Sequence, residues 1–319
     1  MEISSGYRGR DLLFVVGAPR SGTTWLQRLL ASHPQVHTGQ ESKLFRWYLE
    51  PQLRMWRMET TRETDERTAT GRGGTGLSCY FREEEFLDVL RKYMAELLQP
   101  MLRELKPGEI FLEKSPSHAL CIGAIKELLP ECKIIHVLRD ARDVVASLLA
   151  ASKSWGKAWA PHHPAAAAAL WVEHVTAVLR ASQNLSREEF YEVRYEDLIM
   201  APERSLRGVS EFLGLDWDSQ AMQQAIERNS PDHKDEGTLT AIPVYGEVAR
   251  RVGNTVPEPK GFIRKAEIGA WKTDLTAWEK LRVWYTAHRT MELMGYSWKR
   301  QIVGLSPSRI SHQPGAQAS

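Results

Sequence analysis

An α/β fold, a single domain with a central parallel sheet flanked by helices, is predicted by three stretches of this 319-residue sequence. In each, a short apolar run ends in a turn and a helical pattern follows. Leu12–Val16 precedes a helix beginning near Thr23. Residues 110–112 precede a helix from about His118 to Leu129. Residues 133–138 precede a helix with Val144, Val145, Leu148 and Leu149 on one face. Apolar runs this short and continuous read as strands buried on both faces, and strands alternating with helices pack as a parallel sheet covered on both sides.

In the first helix Trp25, Leu26, Leu29 and Leu30 recur at helical spacing, and His33-Pro34 stops it. Pro130 ends the second. Five alanines at 165–169 open a helix running to about Ser182, and a further strand is expected over 190–194. Residues 54–78, with many Arg, Glu, Thr and Gly, and 231–262, with Pro, Gly and charges, read as irregular surface insertions. Lids over an acceptor site are expected near 43–80 and 231–262. Residues 305–319, rich in Ser, Pro, Gln and Gly, read as a disordered tail, which leaves 1–304 as the domain.

Apolar residues at 42% and charged residues at 26% place the chain among globular proteins rather than disordered ones. A net charge of +2 argues against a nucleic-acid binder, so any anion site must be a local cluster of arginines. Cys79, Cys121 and Cys132 match no metal spacing, and neither do the histidines; no metal is expected. Cys121 and Cys132 fall in apolar stretches and read as core. The low, odd cysteine count fits a reducing compartment. No secretory signal and no run of 18 apolar residues occurs, so the chain by itself is expected to be cytoplasmic, without a membrane span.

Gly17-Ala-Pro-Arg-Ser-Gly-Thr-Thr-Trp25 follows a strand and opens a helix. Backbone N–H groups at such a turn, with the helix dipole behind them, form an anion cradle. The glycine spacing is that of a Walker A loop, but Thr23 stands where the lysine would, and the positive charge sits at Arg20. A kinase or other nucleotide phosphotransferase needs that lysine on its β/γ-phosphates. In a second motif, Arg139 ends a buried strand and Ser147 lies on the next helix. A guanidinium and a hydroxyl there suit a second phosphate; the bland alternative pairs Arg139 and Arg142 with Asp140 and Asp143 as surface ions. Arg264-Lys265, at the end of the second irregular region, is a third cationic cluster.

Together these motifs resemble the family of sulfotransferases that use 3′-phosphoadenosine 5′-phosphosulfate (PAPS) as donor, over residues from about 12 to 298. The resemblance implies the P-loop NTPase-like sulfotransferase fold. Arg20, Ser21, Gly22, Thr23, Thr24 and Trp25 would form the 5′-phosphosulfate loop. Arg139 and Ser147 would hold the 3′-phosphate, completed by Arg264 and Lys265 with Gly269 and Trp271; Ala266 stands where the family has a glycine. Trp25 and Tyr195 correspond to adenine contacts. The product would be adenosine 3′,5′-bisphosphate (PAP), and no metal is implied.

For the catalytic base the resemblance offers two residues. Glu41 falls 21 residues after Arg20, as in the tyrosylprotein enzymes; His118 lies two residues beyond the place of the histidine in the cytosolic small-molecule enzymes. Glu41 is the preferred choice. Lys114 matches a lysine near the donor's bridging oxygen. The expected acceptor is a hydroxyl of a small molecule, lipid or carrier-bound polyketide-type product; sulfation of a carbohydrate or protein tyrosine is the same-chemistry alternative. A P-loop kinase and a non-catalytic scaffold are the rivals from other classes. Trp47, Tyr48, Trp56, Trp155 and Trp159 suit an apolar or sugar acceptor, or else simple packing.

Overall fold

Leu12–Val16 forms the central strand, β1, with every residue buried. The computed structural model describes residues 6–70, 76–230, 241–259, 262 and 267–297. Four strands join β1 in a sheet of order β2-β3-β1-β4-β5, with all neighbours parallel. They are β2 (Val36–Thr38), β3 (Ile110–Lys114), β4 (Lys133–Leu138) and β5 (Phe190–Arg194). In register, Phe14 lies between Glu113 of β3 and Ile134 of β4.

The crossovers carry α1 (Thr23–Leu30), α2 (Glu50–Thr70), α3 (Glu83–Leu102), α4 (Ile122–Leu128), α5 (Ala141–Ser152) and α6 (Pro164–Ser182). After β5 come α7 (Tyr195–Met200), α8 (Pro202–Leu213) and α9 (Ser219–Arg228). One core cluster joins α1, α8 and α9 to one face of the sheet through Leu26, Leu29, Val209 and Met222; another joins α3 and α4 to the opposite face through Met94, Leu98, Ile125, Phe14 and Phe111. Alternation of side chains along β1 explains the split: Leu13 and Val15 serve one face, Leu12, Phe14 and Val16 the other.

The last described elements are a small antiparallel pair, β6 (Ala241–Pro243) with β7 (Thr255–Pro257), around α10 (Gly246–Val252), and then α11 (Trp271–Asp274) and α12 (Ala277–Leu293). The region expected to be irregular at 54–78 is helical up to Thr70. A π-helical turn over Phe45–Leu49 leads into α2. Its residues are mostly good helix formers with no glycine before Gly71, and Pro51 sits in the first turn, where proline is tolerated. Buried Leu53 and Trp56 seat it, Trp56 stacking on Phe86 at 4.2 Å. The helix expected from His118 starts later. Pro116–Leu120 is a 3₁₀ turn, and α4 begins at Ile122. Cys121 and Cys132 are buried, as expected; Cys79 is exposed. Among the described residues no helix is long and apolar enough to cross a membrane. The predicted tail at 305–319 lies outside the described residues.

Candidate active site

The residues that follow all five parallel strands meet beyond the strands' C-terminal ends, where open α/β sheets gather ligands. With Phe262, Glu267 and Ala270 they enclose a cavity of about 470 Å³. Its floor is the turn between β1 and α1. Gly22 caps α1 with φ 97°, and a Cβ there would lie 2.4 Å from Cδ2 of Tyr195, so both the conformation and the close approach require glycine. Arg20 has φ 74°, a left-handed conformation that costs a non-glycine residue energy and that persists only where surroundings hold it. The N–H groups of Thr23 and Thr24, at the start of α1, have no acceptor within the helix, whereas that of Trp25 donates to the Gly22 carbonyl at 3.0 Å. Gly22, Thr23, Thr24 and Trp25 line the cavity; Ser21 is buried just behind, its N–H donating to Ala18.

The Arg20 side chain crosses toward α5. Its Nε donates to Ser147 Oγ at 3.1 Å, a terminal nitrogen donates to the Phe262 carbonyl, and the guanidinium lies 4.5 Å from the Phe262 ring centre. Arg139 donates to the carbonyls of Arg20 and Glu267, each at 3.2 Å, and stacks 4.0 Å over Tyr195. Its Nε is buried and has no hydrogen-bond partner among the described residues. Arg20, Arg139 and Ser147 thus form one cluster. The alternative of surface ion pairs is realised only by Arg142, which clasps Asp140 through two nitrogens, and that pair is buried. Trp25 meets Tyr195 edge to face at 6.0 Å and donates its indole N–H to Asn229 O, making an aromatic corner.

Asp143 does something the sequence did not reveal. Its two carboxylate oxygens accept the N–H groups of Gly269 at 2.7 Å and Trp271 at 2.9 Å. Burial raises its carboxyl above the ordinary range, against the opposing pull of Arg139 and those two donors. The 267–271 segment is thereby pinned beside Arg139. Arg264 and Lys265 lie outside the described residues.

On the opposite wall Glu41 Oε1 stands 2.5 Å from Lys114 Nζ. The Lys114 side chain is 3% exposed and that of Glu41 36%, so the carboxylate is the member that meets the cavity. Both flanks of Glu41 are held. Gln27 of α1 donates to Thr38 Oγ1 at 2.8 Å and to Gly39 O at 3.1 Å. Glu113, next to Lys114 on β3, accepts from Ser42 N at 3.0 Å, Ser42 Oγ at 2.6 Å and Ser115 Oγ at 2.8 Å.

His118 does not reach the cavity. It is fully buried, its Nδ1 2.9 Å from Glu113 Oε2 and its Nε2 accepting the Phe45 N–H at 3.1 Å, with Phe14 and Phe45 edge-on to the ring. Nε2 is engaged by the backbone, Nδ1 faces Glu113 without a hydrogen bond, and neither opens on the cavity, so the expectation of His118 as an alternative base is corrected by its position. Burial would raise the Glu113 carboxyl, but His118, Ser42 and Ser115 outweigh it and bring it down to about 2.

Two further cavity features escaped the sequence reading. Arg28 lies 4% exposed in α1 and pairs at 2.7 Å with Glu258, itself 7% exposed; a lone arginine in a helix carries no signal that distinguishes it from a solvated one. Burial raises the Glu258 carboxyl, opposed by Arg28, Lys114 and Arg20. Lys43, Arg46 and Trp47 form the rim, with Lys43 Nζ 4.5 Å over Trp47. Of the aromatic residues singled out, Trp47, Trp155 and Trp159 line the cavity, whereas Tyr48 does not and Trp56 is core. Among the described residues no cluster of His, Cys, Asp or Glu is arranged to hold a metal.

Two solved structures share this architecture. The sulfotransferase domain from the curacin biosynthetic pathway superposes with a TM-score of 0.55 at 19% identity, covering 91% of this chain and 99% of that one. Mouse sulfotransferase SULT7A1 complexed with PAP also gives 0.55, at 14% identity and 92% of both chains. Among curated sequences, a putative protein-tyrosine sulfotransferase of Caenorhabditis briggsae is 28% identical over 66% of this chain and 68% of its own length. Protein-tyrosine sulfotransferase 2 of Gallus gallus is 23% identical over 65% of this chain and 52% of its own. The chain spans about half the length of several such relatives. The model of the family described as Sulfotransferase family matches residues 12–219, from the central strand through the anion turn, Glu41, Lys114, Arg139 and Tyr195, and the chain belongs to that family.

Proposed function

We propose that the protein transfers a sulfuryl group from PAPS to an acceptor hydroxyl. The observation that carries this reading is the convergence, in one cavity, of the Arg20 turn with the Glu41–Lys114 pair, at the ends of neighbouring strands. The residues fit a nucleotide with two separate anionic groups. The turn's N–H groups and Arg20 suit the 5′ end, while Arg139, whose Nε has no hydrogen-bond partner among the described residues, and Ser147 suit the 3′-phosphate. Trp25 and Tyr195 supply flat apolar surface for the base. PAPS, when bound, supplies the activated sulfuryl group.

The chain's own part follows from its charges. Glu41 accepts the proton of the acceptor hydroxyl, for which its partial exposure and position are suited. Lys114 holds Glu41 in place and, with Arg20 and the turn amides, stabilises negative charge that accumulates during transfer. Trp155, Trp159 and Phe262 shield the site from water on the α5 side.

For the acceptor, a phenol or alcohol on an apolar body, as in a small molecule, lipid or polyketide-type product, agrees best with the tryptophans at the rim. The similarity to a domain of the curacin biosynthetic pathway supports that choice, and the protein-tyrosine sulfotransferase names of the relatives are compatible with a phenolic hydroxyl. Calorimetry with PAP and AMP tests the donor site. PAP is expected to bind roughly ten- to a hundredfold tighter, since one charge-assisted contact is worth about 1.5–3 kcal/mol. Equal affinity removes the assignment of Arg139 and Ser147. A screen of acceptor classes with labelled PAPS then identifies the acceptor.

A further inference from the structure

Glu113 and His118 sit at the centre of the most completely buried polar network near the cavity, with side chains 2% and 0% exposed. Neither lines the cavity. Burying a carboxylate and an imidazole is unfavourable unless bonds compensate; here Glu113 Oε1 and His118 Nε2 are bonded, while Glu113 Oε2 and His118 Nδ1 face each other in a 2.9 Å contact without a hydrogen bond. What the network fixes is specific. Glu113 Oε1 gathers Ser42 N, Ser42 Oγ and Ser115 Oγ, and Ser115 Oγ also accepts the N–H of Lys43 at 3.1 Å. His118 holds the N–H of Phe45, at the start of the π-helical turn, and reaches Glu113 on its other side. The loop 41–45 is thus tied at three points, Ser42, Lys43 and Phe45, shortly after Glu41. The same Glu113 precedes Lys114 in β3, so one carboxylate sets both members of the Glu41–Lys114 pair.

We propose that Glu113 and His118 are positioning residues for the sulfuryl transfer, holding Glu41 and Lys114 in register through the 41–45 loop, with His118 neutral, its proton on Nδ1. This rests on the sulfotransfer reading and deepens it. The tautomer follows from the one bond to the ring: an Nε2 that accepts a backbone N–H carries no hydrogen, so the proton of the neutral ring lies on Nδ1, which stands 2.9 Å from Glu113 Oε2 without alignment for a hydrogen bond. Lys43, in the tied loop, has φ 51°, a strained conformation that the Ser115 bond helps to maintain. Misplacement of a reacting group by about 1 Å can lower a rate on the order of a hundredfold, so a network remote from the acceptor can still control turnover.

The test compares His118→Gln with His118→Leu. A glutamine amide can donate to Glu113 and accept from Phe45; leucine can do neither. PAP formation from labelled PAPS, with the best acceptor of the screen, is measured beside calorimetric PAP affinity. His118→Leu is expected to lose turnover roughly 10- to 100-fold, His118→Gln to recover most of it, and both to bind PAP like the parent. ¹⁵N spectra at pH 7.5 are expected to show His118 protonated at Nδ1 alone. If His118→Gln is as inactive as His118→Leu, or the ring carries its proton on Nε2, His118 handles the proton itself and the proposal is overturned. Unchanged turnover in both variants, with lowered melting temperature alone, reduces the network to a structural role and overturns it equally. Failure of the sulfotransfer reading shows earlier and separately, as a parent protein that forms no PAP with any acceptor, and the positioning role falls with it.

Discussion

At the scale of single residues, the cavity depends on a few side chains whose roles differ in kind. Glu41 is partly exposed and bonded to a buried lysine, so it combines access with a fixed direction. Glu41→Gln keeps the shape and removes the basicity. It is expected to lower kcat by roughly 10²–10⁴ and to leave PAP affinity nearly unchanged, because the nucleotide contacts proposed above lie on the turn, α5 and Tyr195. Steady-state kinetics beside calorimetry check this; near-normal turnover in Glu41→Gln removes it as the base. The spacing from Arg20 made Glu41 legible in the sequence, and the cradle's glycines and Arg20 announced themselves by pattern. His118 was legible only as a residue type near the right place. Its burial follows from the 3₁₀ turn at Pro116, which a single sequence does not specify, and that turn sends the ring into the phenylalanines rather than the cavity.

At the scale of elements, the strands were readable because a strand buried on both faces is largely apolar: Leu12–Val16 is so throughout, and Lys133–Leu138 apart from Lys133 and His136. β3 extends two residues past its apolar run, into Glu113 and Lys114, and the polar end is the part that builds the site. Some helices went unread although signals were present: Thr276 and Glu279 form a capping box at the start of α12, and Asp218 caps α9. β6 and β7 contain prolines and pair only with each other, so their sequence reads as loop. The bonds between β3 and the 41–45 loop carry a pH consequence. Glu113 is held from 4.5 down to about 2 in the folded protein. The fold therefore binds fewer protons there than the unfolded chain, and stability contributed by this group is present above pH 4.5 and is lost as pH falls toward 2. Urea unfolding of the parent and Glu113→Gln across pH 7 to 3 is expected to show a stability difference that shrinks as the solution is acidified. A difference independent of pH means that Glu113 gains nothing from its charge in the fold.

At the scale of the whole molecule, the family match ends at residue 219, yet Phe262, Glu267 and Ala270 also line the cavity. Those residues return across the chain to the early elements. Phe262 and Glu267 offer carbonyls to Arg20 and Arg139, and Gly269 and Trp271 give their N–H groups to Asp143. Nothing in local pattern announces such contacts, because each joins groups more than a hundred residues apart and most use main-chain atoms that every residue has. The sequence showed the two ends of this arrangement, the Arg139 motif and the Gly269–Trp271 element, but not Asp143 as the clasp between them. If the clasp holds the C-terminal segment against a nucleotide site, ligand binding and the fold of that segment are linked. PAP at a hundred times its Kd then adds about 2.7 kcal/mol to stability, a rise in Tm of roughly 3–8 °C. Asp143→Asn keeps the size of the side chain but replaces one of its two accepting oxygens by an NH₂ group, so only one of the two N–H groups retains its partner. The variant is expected to melt lower and, at the same PAP concentration as the parent, to gain clearly less from the ligand, which thermal unfolding with and without PAP measures. An equal gain in both proteins shows that the 267–271 segment lies beside the cavity without contributing to nucleotide binding.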